Sequence, residues 1–89
     1  MTDARHIIAI LRGITTGEAV AVAGALVEAG ITMIEVPLNS PEALTSISRI
    51  GSALGGRAAI GAGTVLSTQE VDAVVEAGGQ FVVSPDTNE

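Results

Sequence analysis

Glu35 is the only charge in the apolar run Met33-Ile34-Glu35-Val36-Pro37-Leu38. Strand side chains alternate, so Met33, Glu35 and Pro37 share one face. A carboxylate on a buried strand loses hydration, which disfavours its charged form and raises its pKa. Such a group suits proton transfer near neutral pH. The same placement also describes a buried glutamate paired with an arginine or held by backbone amides. Arg12 ends a first apolar run in Leu11-Arg12-Gly13, on the face of Ile8 and Ile10 by parity. Its planar fork can hold a carboxylate or phosphate at two points; the structural alternatives are a salt bridge to Glu35 or a solvated loop charge. Thr64 ends a third run, in Gly61-Ala62-Gly63-Thr64. A hydroxyl or amide at a strand's end can meet a ligand oxygen, or it can simply make a turn. Ser84 and Pro85 end a fourth run and read as loop-shaping residues.

Other chemistries are narrowed by what the chain lacks. It has 89 residues, no Cys, one His (His6), four arginines (Arg5, Arg12, Arg49 and Arg57) and no lysine. Disulfides, thiolate chemistry and Cys-based metal sites are therefore absent, and no metal site is expected. The net charge of −6 and the lone aromatic, Phe81, argue against nucleic acid, which needs clustered cations and stacking platforms. The longest stretch without charge, Ala58 to Gln69, contains Gly61, Gly63, Ser67 and Thr68 and is too short and polar to span a bilayer. The polar start, Met1 to His6, does not resemble a signal peptide, so a cytoplasmic location is expected. The glycines fail the dinucleotide fingerprint, because Leu66 stands where its third glycine belongs. They suit close backbone approach instead. His6 precedes the first strand and reads as a surface or packing residue; Arg49 and Arg57 read as solvated charges.

The elements that would position these residues repeat. Apolar runs at Ile7–Leu11, Met33–Leu38, Ala58–Val65 and Phe81–Val83 alternate with segments of helical spacing. The expected helix faces are Ala19, Val22, Ala23, Leu26 and Val27, then Leu44, Ile47, Ile50 and Leu54, then Val71, Val74 and Val75. Thr15/Glu18 and Ser67/Glu70 have capping-box spacing. Ser40 is expected as an N-cap with Pro41 at the first helical position. Gly30, Gly55-Gly56 and Gly78 read as stops. Val27-Glu28-Ala29-Gly30 recurs as Val75-Glu76-Ala77-Gly78, at the same point in two units. The order βαβαβαβ implies parallel strands covered by helices, either in an open sheet or in part of a barrel. Arg12, Glu35 and Thr64 then lie near the C-terminal ends of successive strands, where (β/α) barrels build active sites.

Three motifs in order carry a resemblance over Ile7 to Pro85. They are Ile8-Ala9-Ile10-Leu11-Arg12-Gly13, Ile34-Glu35-Val36-Pro37-Leu38-Asn39-Ser40-Pro41 and Ile60-Gly61-Ala62-Gly63-Thr64-Val65-Leu66. Together they resemble the 2-dehydro-3-deoxy-6-phosphogalactonate aldolases and their kin, the 2-dehydro-3-deoxy-6-phosphogluconate aldolases. The resemblance implies a (β/α)₈ TIM barrel, of which residues 1–89 are the N-terminal half of a single, apparently truncated domain. It implies a trimer and a cofactor-free class I aldol cleavage. A lysine forms a Schiff base with the 2-keto group of a phosphorylated 2-keto-3-deoxy sugar acid, giving pyruvate and glyceraldehyde 3-phosphate.

In that resemblance Glu35 matches the general acid/base, Arg12 a substrate-binding arginine, and Thr64 a contact near the pyruvyl carboxylate. Asn39 stands where gluconate-type members carry arginine and points to the galactonate type. The departure is the lysine, which the family carries on a later strand and which these residues lack; a desolvated neutral amine is the nucleophile in such chemistry. The chain alone is therefore expected to be inactive. A non-catalytic, self-associating half-barrel or interaction module is the alternative, with two copies pairing their open edges. Another barrel enzyme acting on phosphorylated sugars is disfavoured, because it would not share all three motifs.

Overall fold

Four short strands alternate with three helices: β1 (Ile8–Ile10), α1 (Thr16–Glu28), β2 (Met33–Pro37), α2 (Ala43–Leu54), β3 (Ala59–Gly63), α3 (Thr68–Glu76) and β4 (Phe81–Val82). The computed structural model describes residues 8–83; His6, Ser84 and Pro85 lie outside them. All pairings are parallel, and the sheet order β1-β2-β3-β4 follows the chain. This is the expected βαβαβαβ order. The alignments pair Ile10 with Glu35 and Glu35 with Gly61. They leave Ile8, Ile10, Met33, Glu35, Pro37, Ala59, Gly61, Gly63 and Phe81 on one face.

The opposite face meets the helices. Ile34, Val36, Ile60 and Ala62 are fully buried or nearly so, in one cluster with Ala19 and Ala23 of α1, Ile47, Ile50 and Leu54 of α2, and Val74 of α3. Right-handed crossovers between sequential parallel strands put all helices on the same side. Side chains of Ile and Val size contribute about 1.5–3 kcal/mol each when buried, so this layer is the main source of cohesion.

The helix ends explain the repeated tetrapeptide. Gly30 and Gly78 adopt positive φ, 96° and 98°. In the first copy the Gly30 and Ile31 amides donate to the carbonyls of Val27 and Leu26, both at 2.9 Å. In the second, the Gly78 and Gly79 amides donate to Val75 at 3.0 Å and Val74 at 2.8 Å. Both are Schellman ends, in which glycine at the left-handed position closes the last turn. The N-termini follow the sequence too. The Glu18 carboxylate accepts from the Thr15 amide at 3.3 Å and from its hydroxyl at 2.9 Å. The Ser67 hydroxyl accepts from the Glu70 amide at 3.2 Å.

Other expectations need correcting. Helix α2 starts at Ala43, after Glu42 in a left-handed conformation (φ 46°), so Ser40 is not its N-cap and Pro41 is not its first residue. The Ser40 hydroxyl is engaged elsewhere, as described below. Val22, Leu44 and Val75 are exposed rather than core-facing. In α1 Ala19 and Ala23 are fully buried and Val20, Leu26 and Val27 pack partly buried against the core, which leaves Val22 exposed. In α2 the buried stripe is shifted to Ala43, Ser46, Ile47, Ile50 and Leu54. Arg57 is not simply solvated: it pairs with Glu28 at 2.8 Å across the surface.

Candidate functional site

Strand β2 carries Glu35 in its middle, between β1 and β3. Its inward parity comes from the alternation that sends Ile34 and Val36 to the helices. The residue is only 7% exposed. Its carboxylate leans along the sheet toward the C-terminal end of β3, so that a Cβ on Gly63 would overlap it. Among the described residues no ion pair joins Glu35 to Arg12, so that structural alternative is not realised.

Thr64 follows directly. It has φ 59°, a left-handed conformation that disfavours a β-branched residue and costs of order 1–3 kcal/mol. Both flanks are pinned. The Gly63 carbonyl accepts from the Leu38 amide at 2.8 Å, and the Val65 amide donates to the Val83 carbonyl at 3.2 Å. The half-buried threonine is thus held at the strand's end, next to the Gly63 that faces the Glu35 carboxylate.

Arg12 is exposed in the turn after β1. The turn is anchored on both sides. The Leu11 amide donates to the Glu35 carbonyl at 2.9 Å. The Gly13 amide donates to the buried Ser40 hydroxyl at 3.1 Å. Asn39, also exposed, precedes Ser40 in a turn closed by the Ser40 amide donating to the Pro37 carbonyl at 2.9 Å. Ser40 therefore ties the loop bearing Arg12 to the loop bearing Asn39.

Of the four residues singled out from sequence, Arg12, Asn39 and Thr64 lie just after the C-terminal ends of three adjacent strands, while Glu35 sits mid-strand with its carboxylate leaning toward that end. The structure joins them in two pairs: Glu35 with Thr64 through Gly63, and the Arg12 and Asn39 loops through Ser40. Sequence reasoning missed Gly63 as the space for the carboxylate and Ser40 as the tie. The two glycines of Gly61-Ala62-Gly63 signalled a close approach without disclosing what approaches; nothing local signalled the partner of Ser40, which is 27 residues away.

Nearby, a cleft of about 450 Å³ opens between the starts of α2 and α3, its lining including Leu38, Ser40, Glu42, Ala43, Leu44 and Glu70. Among the described residues no group of three His, Cys, Asp or Glu side chains could hold a metal ion. Nor is any helix among them long and apolar enough to cross a membrane.

The family model for KDPG and KHG aldolase matches residues 1–89. The 2-dehydro-3-deoxy-6-phosphogalactonate aldolase of Escherichia coli is 52% identical over 79 residues, which are 89% of this chain and 38% of that protein. A solved native KDPGal structure superposes with TM-score 0.89 at 46% identity, covering 99% of this chain and 43% of its own. The KDPG aldolase of Legionella pneumophila, solved with pyruvate captured at low pH as a covalent carbinolamine, superposes with TM-score 0.82 at 30% identity. That match covers 92% of this chain and 39% of the other. The chain thus spans about two fifths of the length of the proteins it matches.

Proposed function

The chain belongs to the KDPG and KHG aldolase family, and from that premise we propose that it forms the front half of a class I aldolase barrel. The domain reading is that residues 1–89 are the N-terminal half of one (β/α)₈ domain. The reaction is cleavage of a 2-keto-3-deoxy-6-phospho sugar acid to pyruvate and glyceraldehyde 3-phosphate. The observation that carries it is the Glu35 carboxylate, buried on the sheet face opposite the helices and leaning toward the strand end where Thr64 stands.

The chemistry follows from that placement. An amine adds to the 2-keto carbon, the carbinolamine loses water, and the resulting iminium accepts the electron pair of the C3–C4 bond. Glu35 gives a proton to the departing hydroxyl in the dehydration and, as carboxylate, takes the proton of the C4 hydroxyl as the bond breaks. Return of a proton to C3 and hydrolysis release pyruvate. A positioned carboxylic acid of this kind contributes about 10²- to 10⁴-fold. Arg12 holds an anionic end of the substrate, and Thr64 a carboxylate oxygen of the pyruvyl end. Asn39 faces the sugar portion and favours the galactonate configuration, in keeping with the identity to the Escherichia coli galactonate enzyme. The carbinolamine seen in the Legionella relative supports the covalent route.

None of the 89 residues is a lysine, so the nucleophilic amine in this reading belongs to chain outside them, as does the phosphate site. The assembled protein is read as a homotrimer, with sedimentation at about three chain masses as its check. The decisive experiment is the intact mass of the gene product carrying these residues, after treatment with pyruvate and borohydride. One reduced pyruvyl adduct on a longer chain is expected. An 8.9 kDa chain that takes up no adduct would overturn the catalytic reading and favour the self-associating half-barrel.

A further inference from the structure

Two glycines on the inward face of β3 require an explanation. Glycine inside a strand weakens it, by roughly 0.5–1 kcal/mol relative to alanine, and usually marks a close approach. Gly61 and Gly63 are not among the residues with positive φ, so backbone conformation does not demand glycine at either position. Space does. A Cβ on Gly61 would overlap the Phe81 ring and the Phe81 carbonyl oxygen; a Cβ on Gly63 would overlap the Glu35 carboxylate. The alignment makes this informative. The Cα partner of Glu35 on β3 is Gly61, not Gly63. The space over Gly61 is already filled by Phe81 from β4, and the Glu35 side chain instead leans two residues further toward the strand's end. The bare Gly63 backbone is what receives it, next to Thr64.

We propose that Gly63 is the positioning residue for Glu35: its missing side chain sets where the carboxylate stops, at the mouth of the site rather than at its own level in the sheet. This inference rests on the reading of Glu35 as the proton-transfer group. A methyl at Gly63 would push the carboxylate out of that position, and displacement of a reacting group by about 1 Å can cost 10²-fold in rate. Phe81 has a supporting part, because it closes the alternative position over Gly61.

The test is a double-mutant cycle in the whole gene product. Gly63→Ala is expected to lower kcat at least tenfold while moving KM less than threefold. In a Glu35→Asp background the carboxylate carbon takes the place of the Glu35 Cγ, 3.1 Å from the added methyl, and Gly63→Ala is expected to lower kcat severalfold less than it does beside Glu35. Equal losses in the two backgrounds would overturn the proposal, because a purely structural glycine would act regardless of its neighbour. Thermal unfolding supplies a readout independent of turnover. Gly63→Ala should lower Tm beside Glu35 and leave it unchanged or raised beside Glu35→Ala; a fall of the same size in both would overturn the proposal. If Gly63→Ala does not fold, recovery of the folded Gly63→Ala/Glu35→Ala double variant supports the contact, and failure of that variant to fold refutes it. Glu35→Gln separates the two ideas. If it keeps near-original turnover, the acid/base reading fails while the Tm cycle still decides the contact.

Discussion

The two faces of the sheet are built to opposite rules. On the helix side Ile34, Val36, Ile60 and Ala62 are buried apolar residues in one continuous cluster. On the other side the same strands carry a carboxylate, two glycines and, at the β1 edge, Ile10 at 50% exposure. One face is shaped by volume and is intolerant of lost methylenes. The other is shaped by absence: space left at Gly61 and Gly63 is what arranges Phe81 and Glu35. The difference teaches that conserving hydrophobicity would preserve the first face and ruin the second.

Substitutions can break or sharpen that contrast. The largest effect is expected on the open face, in chemistry alone. Glu35→Gln in the whole gene product should lower turnover about 10²- to 10⁴-fold with the urea midpoint unchanged or raised; steady-state kinetics beside urea unfolding checks both halves. A midpoint that drops with the rate would move Glu35 into the structural class. Next comes Ile60→Ala on the helix side, expected to cost about 2–5 kcal/mol, against about 1 kcal/mol or less for Ile10→Ala in the same 89-residue chain, where it is half exposed. Similar losses at both positions would erase the contrast.

Ser40→Ala removes the acceptor of the exposed Gly13 amide and should cost about 0.5–1.5 kcal/mol. It should also speed hydrogen exchange at Gly13, and an unchanged exchange rate would sink the tie between the two loops. The smallest effect is expected at Ser46, whose hydroxyl is fully buried in α2 without a partner among the described residues. Ser46→Ala removes an unsatisfied polar atom and a weaker helix former together, and should raise stability by up to about 1 kcal/mol in the same unfolding assay.

Much of this architecture is legible in the sequence. The alternation of strands and helices rests on local rules, and so do the two Schellman ends, where Val-Glu-Ala-Gly places glycine at the one position needing positive φ. Glu35 was conspicuous because a charge inside an apolar strand has few places to go. What escaped were features decided at a distance. Ser40-Pro41 has the local form of a helix start, yet the Ser40 hydroxyl is taken by Gly13, and the helix begins later behind Glu42. Val22, Leu44 and Val75 satisfy helical spacing but stay exposed, because the buried stripes run through Ala19 and Ala23 in α1, through Ala43, Ser46, Ile47, Ile50 and Leu54 in α2, and through Val74 in α3. The role of Gly63 depends on a side chain from the neighbouring strand, which spacing along β3 alone does not disclose.

The order β1-β2-β3-β4 also bears on how the chain acquires its shape. Ile8 pairs with Met33, Met33 with Ala59 and Gly61 with Phe81, separations of 25, 26 and 20 residues. Closure entropy grows only with the logarithm of loop length, about 0.6 kcal/mol per doubling, so the three pairings face nearly the same entropic barrier. Among the described strands none waits for one made much later, and each new one finds its template in the one just completed. A ribosome releasing this chain from its N-terminus therefore delivers the sheet in the order in which it is to be assembled.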